Sequence, residues 1–354
     1  MSGRPSLLSV RLFTALALAA AVFSSAARVH AQQEAETASL PSFEFHSGFW
    51  INLHHFLYLQ ARMLNDPADD AKKNYSMDDG SRPAMTPAEL KSWNAALAVY
   101  AADWSSRDLL HNGIMVLINN RLAELENCPE LAGKSAPECT SGLQPQLVMA
   151  LDEAAPIYRA RWWEEQDREN RAWIETVAPM VRNMGAHVGK QLSDVYQSAW
   201  PEGRYRVDVS WYAGPEGAYT SLDPVHITIA SHDLRSQGLA AFEMLFQQAS
   251  YAVAEGVDQA ITRECRKVGK PIPRDLFPAL LLYTTGETVR RSFVDAPASG
   301  EIAASASYAP YAYRNGLHDH GWSDYLSVLE SYWQGYLDGQ ISLDAAISRI
   351  IAVQ

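Results

Sequence analysis

Polar side chains interrupt the apolar pattern of residues 241–253, AFEMLFQQASYAV. Glu243, Gln247 and Tyr251 are spaced four residues apart, so a helix would place all three on one face, with Gln248 beside them. A carboxylate, two amides and a phenol on one buried face can satisfy one another as a hydrogen-bond network. They could also line a polar cleft that holds a ligand. The network is the simpler interpretation.

The positions of Gln247, Gln248 and Tyr251 match the spacing of the zinc-binding sequence His-Glu-x-x-His. In that sequence two histidines one helical turn apart bind the metal, and the glutamate polarises its water. A neutral amide oxygen is a weak zinc ligand beside imidazole, thiolate or carboxylate. Gln248 cannot act as a general base, because an amide has no proton affinity near neutral pH. We therefore expect no zinc or other cofactor, and no ordinary metallopeptidase chemistry.

The chain resembles a group of exported bacterial proteins that are similar to gluzincin zinc metallopeptidases. In that group a helix of the form LEMLFHEASHAL is followed by YTTGELVRR, and this chain has FEMLFQQASYAV followed by YTTGETVRR. The other segments that carry the resemblance are HHFLYLQAR, APIYRARWW, RVDV, AYTSLDPVHITI and YAPYAYRNGL. The resemblance implies a zincin-like fold in which a small β element precedes the active-site helix.

The same resemblance implies the composition of a former active site. Glu287 stands at the position of the third zinc ligand, a glutamate on a later helix. Tyr311 and Arg314 would border the cleft, where either could stabilise an oxyanion, although aromatic packing beneath a loop is an equal alternative. His226, in the strand before the helix, is the histidine best placed to act as a cleft ligand. A histidine satisfied in the core is the commoner case.

The remaining histidines do not have the spacing of a metal-binding helix. His54 and His55 are adjacent, so their side chains would point in different directions from a helix. His318 and His320 follow a turn and are expected at the surface. We interpret all four as histidines that are solvated or satisfied in the core.

The first thirty-one residues have the features of a secretory signal peptide. Arg4 and Arg11 supply positive charge, residues 12–23 form an apolar segment, and residues 29–31 form a small-x-small cleavage site. We expect export to the periplasm or the extracellular space, with no membrane anchor after cleavage. The net charge of −12 argues against nucleic acids and anionic membrane surfaces as partners.

Two of the three cysteines flank a loop rich in proline and small residues, CPELAGKSAPEC. In an oxidising compartment Cys128 and Cys139 are expected to form a disulfide that closes this loop. Cys265 is left over and is expected to be a buried thiol on a helix.

Helical periodicity dominates the rest of the chain. Helices are predicted over residues 48–64, 86–104, 107–126, 239–268, 275–294 and 323–354, strands over 204–213 and 224–231, and mobile loops over 66–83 and 295–307. This order predicts a predominantly α-helical α+β fold. We expect one mature domain, residues 32–354, that could have two lobes at about 32–200 and 201–354.

Three functional hypotheses follow. The first is a catalytically inactive, metallopeptidase-like exported protein that binds a peptide or protein in a residual cleft. The second is a metal-free hydrolase that uses Glu243 and Glu287 as an acid–base pair, which would depend on the separation of the two carboxylates. The third is an exported helical protein whose likeness to peptidases carries no function.

Overall fold

A computed structural model describes residues 40–66, 75, 83–131, 137–295 and 308–354. Residues 41–354 form one compact unit. The predicted signal peptide lies outside the described residues, as do the predicted loop after residue 295 and most of the predicted loop 66–83. Among the described helices, none combines the length and apolar character needed to cross a membrane.

The amino-terminal part of this unit is a strand followed by packed helices. It contains β1 (Ser42–His46), α1 (Phe49–Asn65), α2 (Pro87–Asp103), α3 (Gly113–Glu124), α4 (Pro137–Thr140), α5 (Pro145–Tyr158) and α6 (Glu164–Tyr196). The predicted capping box begins α2, since Thr86 and Glu89 exchange side chain–backbone hydrogen bonds. The predicted helix 107–126 begins later, because the side chain of Asn112 caps the first turn of α3.

A four-stranded mixed sheet lies in the middle of the chain. Its other strands are β2 (Arg204–Ser210), β3 (Ala218–Leu222) and β4 (Val225–Ala230). The strand order is β1-β2-β4-β3, with β3 at one edge and antiparallel to β4, while the other neighbours are parallel. The two predicted strands are confirmed as β2 and β4. β1 and β3 lie where no strand was predicted.

The carboxy-terminal part is helical. It contains α7 (Leu239–Ser250), α8 (Glu255–Val268), α9 (Leu276–Asp295), α10 (Leu317–Asp319), α11 (Ser323–Val328), α12 (Gln334–Leu337) and α13 (Leu343–Val353). The predicted helix 239–268 is divided into α7 and α8 by a turn. The last predicted helix, from residue 323, is likewise divided into shorter helices.

Each face of the sheet packs on its own hydrophobic cluster. Val207 and Ile227 face a cluster built with α6, α7 and α9, whereas Tyr219 and Ala230 belong to the cluster of α1, α2, α3 and α5. Because α6 packs with the carboxy-terminal helices, the suggested lobe boundary near residue 200 does not match this division of the core. The predominantly helical α+β class is confirmed, and the zincin-like arrangement stays a prediction.

The predicted disulfide between Cys128 and Cys139 is present, and Cys265 is a buried free thiol on α8. The bridge joins residues separated by 11 positions. Closing a loop of this length stabilises a fold by about 3 kcal/mol in the chain-entropy account. Such a bridge is typical of proteins from oxidising compartments.

Candidate functional site

The polar row of α7 consists of the side chains that were predicted to share one face, Glu243, Gln247 and Tyr251, with Gln248 beside them. Gln248 Nε2 donates to Gln247 Oε1 over 2.7 Å. Burial raises the pKa of Tyr251, and its interaction with Gln247 partly opposes this rise. On the sheet side, Thr220 Oγ1 of β3 donates to Gln248 Oε1 over 2.9 Å. The two amides are therefore engaged with each other and with their neighbours, as the network interpretation expects.

The row is buried at its Glu243 end and partly exposed to solvent at its Tyr251 end. Glu243 is 1% exposed, Gln247 is 8% exposed, and Tyr251 is only partly buried. Burial raises the pKa of Tyr251 to about 12, so its hydroxyl is a neutral phenol near neutral pH. Any ligand of this face would therefore approach from the Tyr251 end and meet an uncharged hydroxyl.

Glu243 holds the segment that follows α9 against α7. Its carboxylate accepts a hydrogen bond from the Tyr308 hydroxyl and another, at 3.0 Å, from the backbone N–H of Tyr311. Gly286 of α9 closes the same contact, because a Cβ there would lie 3.1 Å from Glu243 Oε1 and 2.7 Å from Pro310. The buried carboxylate thus acts as an anchor between two helices and this segment.

Glu287 is 3% exposed and is held by cations of its own helix. Its two oxygens accept hydrogen bonds from Arg290 at 2.8 and 2.9 Å, and Arg291 lies 3.3 Å away. Burial alone would raise the pKa of Glu287, but hydrogen bonds from Arg290 and Tyr313 and the nearby arginine charges bring it below the usual value. The group therefore stays ionised. Within the described residues no hydrogen bond joins Glu287 to the polar row of α7.

Family models, curated proteins and solved structures give no match to this chain. In the described ranges, no three His, Cys, Asp or Glu side chains are grouped so that they could hold a metal ion. The donors at the predicted zinc positions are the amides of Gln247 and Gln248, the neutral phenol of Tyr251 and the arginine-bound carboxylate of Glu287. This donor set does not fit zinc, which prefers imidazole, thiolate and free carboxylate.

Tyr311 and Arg314 are the two residues that were proposed to border the cleft. Tyr311 is 6% exposed and packs in the carboxy-terminal core, and its backbone N–H binds Glu243. Aromatic packing is therefore the role that the contacts of Tyr311 support. Arg314 belongs to the π-helical turn Ala312–Gly316, but its side chain lies outside the described part of the structure.

The expectation that His226 borders the cleft is wrong. Its neighbour in β4, Ile227, pairs with Thr220 and faces α7, so strand alternation turns His226 to the opposite face of the sheet. There His226 Nε2 donates to Asp208 Oδ2 over 2.8 Å, and its Nδ1 lies 2.9 Å from Asn120 Oδ1. The histidine is satisfied in the interior, away from α7.

The partner of His226 is the centre of a charge network that was not predicted. Asp208 is fully buried, and Arg206 Nε donates to its Oδ2 over 2.5 Å. Burial would raise the pKa of Asp208, but the hydrogen bonds from His226 and Arg206 outweigh burial and lower it to about 2. Arg206 also contacts Glu126 at 3.2 Å, which connects the network to the surface. A charged residue alternating with valines in RVDV is the sequence signal that could have indicated it.

The adjacent histidines of α1 are confirmed as core residues. His54 Nδ1 lies 2.8 Å from the Tyr100 hydroxyl, and His55 Nε2 lies 2.8 Å from the Tyr219 hydroxyl. Burial lowers the pKa of His54 to about 3 and that of His55 well below the usual value. Both rings are therefore neutral near pH 7 and serve as hydrogen-bonding core groups.

Proposed function

We propose that this chain is a catalytically inactive, metallopeptidase-like exported protein that binds a peptide or protein in the cleft beside α7. The observation that carries the proposal is the mutual hydrogen bonding of Gln247 and Gln248, with Thr220 completing the row. These amides occupy the positions at which the resembling peptidases carry a zinc ligand and the catalytic glutamate.

The absence of catalysis follows from the chemistry of these groups. Activating a water for peptide hydrolysis needs a Lewis acid or a proton acceptor beside it. Gln248 is neither, and the neutral phenol of Tyr251 is a poor substitute for imidazole. Glu287, the remaining carboxylate of the former set, already binds Arg290 through both oxygens. The amides of Gln247 and Gln248 and the phenol of Tyr251 therefore provide no base for a water.

A ligand cleft is supported by the position of the row and by its burial. Thr220 brings the edge strand β3 against α7, and the row is most accessible at Tyr251. Peptide and ligand sites commonly combine apolar and aromatic walls with a few fixed polar groups. The amides and the phenol of this row are such groups, and they are oriented by one another.

Zinc binding tests the proposal. After dialysis against zinc, the wild-type chain is expected to contain no stoichiometric metal. A variant that combines Gln247→His, Gln248→Glu and Tyr251→His should bind close to one zinc per chain. The combined variant restores two imidazoles one helical turn apart. Metal content is measured by plasma mass spectrometry, with folding checked by circular dichroism. The matched control is Gln248→Glu alone, which adds the same charge without an imidazole.

The outcomes separate the two parts of the proposal. One tightly held zinc per wild-type chain would contradict the assignment of an inactive site. A combined variant that folds and still binds no zinc would contradict the relation to gluzincins, because the backbone would then lack the geometry of their zinc site.

Acid–base catalysis by Glu243 and Glu287 is the weaker proposal. Glu243 already binds the Tyr308 hydroxyl and the Tyr311 backbone, and Glu287 binds Arg290 and Arg291. The lowered pKa of Glu287 also keeps it ionised at neutral pH, so it has no proton to donate. Such a pair needs one carboxyl group as the acid and the other as the base, and the contacts of Glu243 and Glu287 do not support these roles.

Export is part of the same proposal and is supported by the disulfide and by the composition of residues 1–31. Expression of the full chain in a bacterium should yield a mature protein that begins at residue 32 and is released with the periplasmic fraction. Mass spectrometry of its amino terminus checks the result. Full-length protein retained with the cytoplasm would contradict export.

A further inference from the structure

A basic segment of the surface lies at the carboxy-terminal end of α8 and in the turn that follows it. Residues 263–274, RECRKVGKPIPR, contain five lysine or arginine side chains and one acidic side chain, in a chain whose net charge is −12. α8 ends at Val268, and both the stretch 266–272 and Arg274 are exposed. The local charge therefore has the opposite sign to the charge of the whole protein.

Lys270 joins this segment to the end of α13. Its Nζ donates to two carbonyl oxygens in the last turn of that helix, at 2.8 and 3.0 Å. Val268 and Ile272 are each two residues from Lys270, and Val353 is the last residue of α13. The contact thus brings together three aliphatic side chains that are each about half exposed. We call this surface, residues 266–274 with Val353, the basic patch.

The lysines of the basic patch have partners within the fold, whereas its arginines do not. Lys267 pairs with Glu264 at 3.3 Å, and Lys270 binds the end of α13. Within the described ranges, no ion pair or hydrogen bond involves the side chain of Arg266 or Arg274. A cation in the last turn of a helix complements the helix dipole, but Arg274 lies outside α8. Each arginine presents a planar set of donors that matches a carboxylate.

The apolar centre of the basic patch is held in a fixed conformation. Ile272 lies between Pro271 and Pro273. Proline fixes its own φ angle and also restricts the residue before it, so the backbone of this turn has little freedom. A side chain presented from a rigid backbone loses less conformational entropy when it is covered by a partner.

We propose that the basic patch binds an acidic segment of a partner protein. Carboxylates of that segment pair with Arg266 and Arg274, and an apolar side chain of the segment covers Ile272 and its two valine neighbours. Charge complementarity favours a protein segment over an anionic membrane, because the net charge of −12 repels an extended anionic surface more than a short peptide. The patch also contains no tryptophan, tyrosine or phenylalanine, the residues that anchor proteins at a bilayer interface. It includes no residue of α7, so this inference is independent of the proposed cleft.

Fluorescence anisotropy with short labelled peptides tests the basic patch. The first peptide has glutamates on both sides of a central leucine, the second has glutamines in place of the glutamates, and the third has serine in place of the leucine. At about 0.1 M salt the first should bind at least about tenfold more tightly than the second and about threefold more tightly than the third. Arg266→Gln combined with Arg274→Gln should weaken binding of the first peptide about tenfold, and Ile272→Ser should abolish its advantage over the third.

Matched controls remove the same groups elsewhere. Arg168→Gln combined with Arg182→Gln removes two exposed arginines of α6, and Ile114→Ser removes an exposed isoleucine of α3. Both should leave the affinities unchanged, and circular dichroism checks that every variant is folded. Equal affinity for the first and second peptides, or an equal loss in the control and patch variants, would overturn the proposal.

Sedimentation with lipid vesicles separates a protein segment from a membrane. Vesicles of phosphatidylcholine with roughly one third phosphatidylglycerol are expected not to bind the chain. Vesicle binding that is lost in the double arginine variant, together with no binding of the acidic peptide, would overturn the proposal in favour of a lipid surface. The zinc experiment on α7 is unaffected by either result.

Discussion

Asp208→Asn is expected to lower the free energy of unfolding at pH 7 by about 3 kcal/mol. The substitution keeps the shape of the side chain but removes the charge that Arg206 and His226 both contact. Asp208 is fully buried, so its partners would lose a compensating carboxylate in a place with little water. Urea denaturation followed by circular dichroism measures the change.

The same carboxylate makes stability depend on pH with a definite sign. The pKa of Asp208 is about 2 in the fold, against an ordinary value of 3.8. Because the folded pKa is the lower one, this stabilisation is present above the unfolded pKa and is lost as pH falls towards the folded pKa. The difference between wild type and Asp208→Asn should therefore stay constant above about pH 5 and shrink by about 2 kcal/mol by about pH 2.

A surface aspartate provides the control for both measurements. Asp194 pairs with Lys190 on α6, and its side chain is 65% exposed. Asp194→Asn should change the free energy of unfolding by less than about 1 kcal/mol, because exposed ion pairs are screened by water. A difference between wild type and Asp208→Asn that remains undiminished at pH 2 would contradict the assignment of a lowered pKa to this group.

Long helices with clear apolar periodicity could be predicted from the sequence. α1 spans Phe49–Asn65 against a predicted 48–64, and α9 spans Leu276–Asp295 against 275–294. The capping box at Thr86 located the beginning of α2, because the hydrogen bonds that it makes are local in the chain. Periodicity and capping are both properties of short sequence windows, which explains their success.

The sheet was predicted only in part, because strand pairing is not local. β1 lies next to β2 although more than 150 residues separate them, as the pairing of Ser42 with Arg204 shows. β3 has buried side chains on both faces, including Tyr219 and Thr220, so its sequence lacks a clear polar–apolar alternation. Short strands of this kind resemble connecting segments until their partners are known.

The face of the sheet on which the His226 side chain lies could have been predicted from the sequence. In PVHITIAS the histidine alternates with two isoleucines, and strand geometry turns neighbouring side chains to opposite faces. If the isoleucines pack against the following helix, His226 must point away from it. The prediction used the position of His226 along the chain but not this alternation.

In α7, too, the features set by nearby residues could be predicted, whereas contacts with residues far along the chain could not. Spacing alone predicted a helix that carries Glu243 and Gln247 one turn apart, and α7 contains both residues. The partner of Glu243 was beyond prediction, because Tyr308 lies 65 residues further along the chain. This carboxylate, which had been considered for catalysis, has the contacts of a structural anchor. These contacts lead to a strong prediction.

Glu243→Ala is expected to lower the free energy of unfolding by roughly 3 kcal/mol. The substitution leaves the Tyr308 hydroxyl and the Tyr311 backbone N–H without the carboxylate that they bind, at a position where Glu243 is 1% exposed. It should also raise the rate of amide hydrogen exchange over residues 308–316 more than over α8, because the anchor of that segment is lost. Urea denaturation and hydrogen exchange followed by mass spectrometry measure the two effects.

Two further variants separate anchoring from the loss of side-chain volume. Glu243→Gln keeps an oxygen that can accept from the Tyr311 N–H, so exchange over residues 308–316 should stay closer to wild type than in Glu243→Ala. Tyr308→Phe removes one donor only and should cost about 1 kcal/mol. The double variant Glu243→Ala with Tyr308→Phe should lose less free energy of unfolding than the two single variants together, because both substitutions remove the same hydrogen bond. If Glu243→Ala destabilises the fold while exchange over 308–316 stays unchanged, the carboxylate fills space and does not hold this segment.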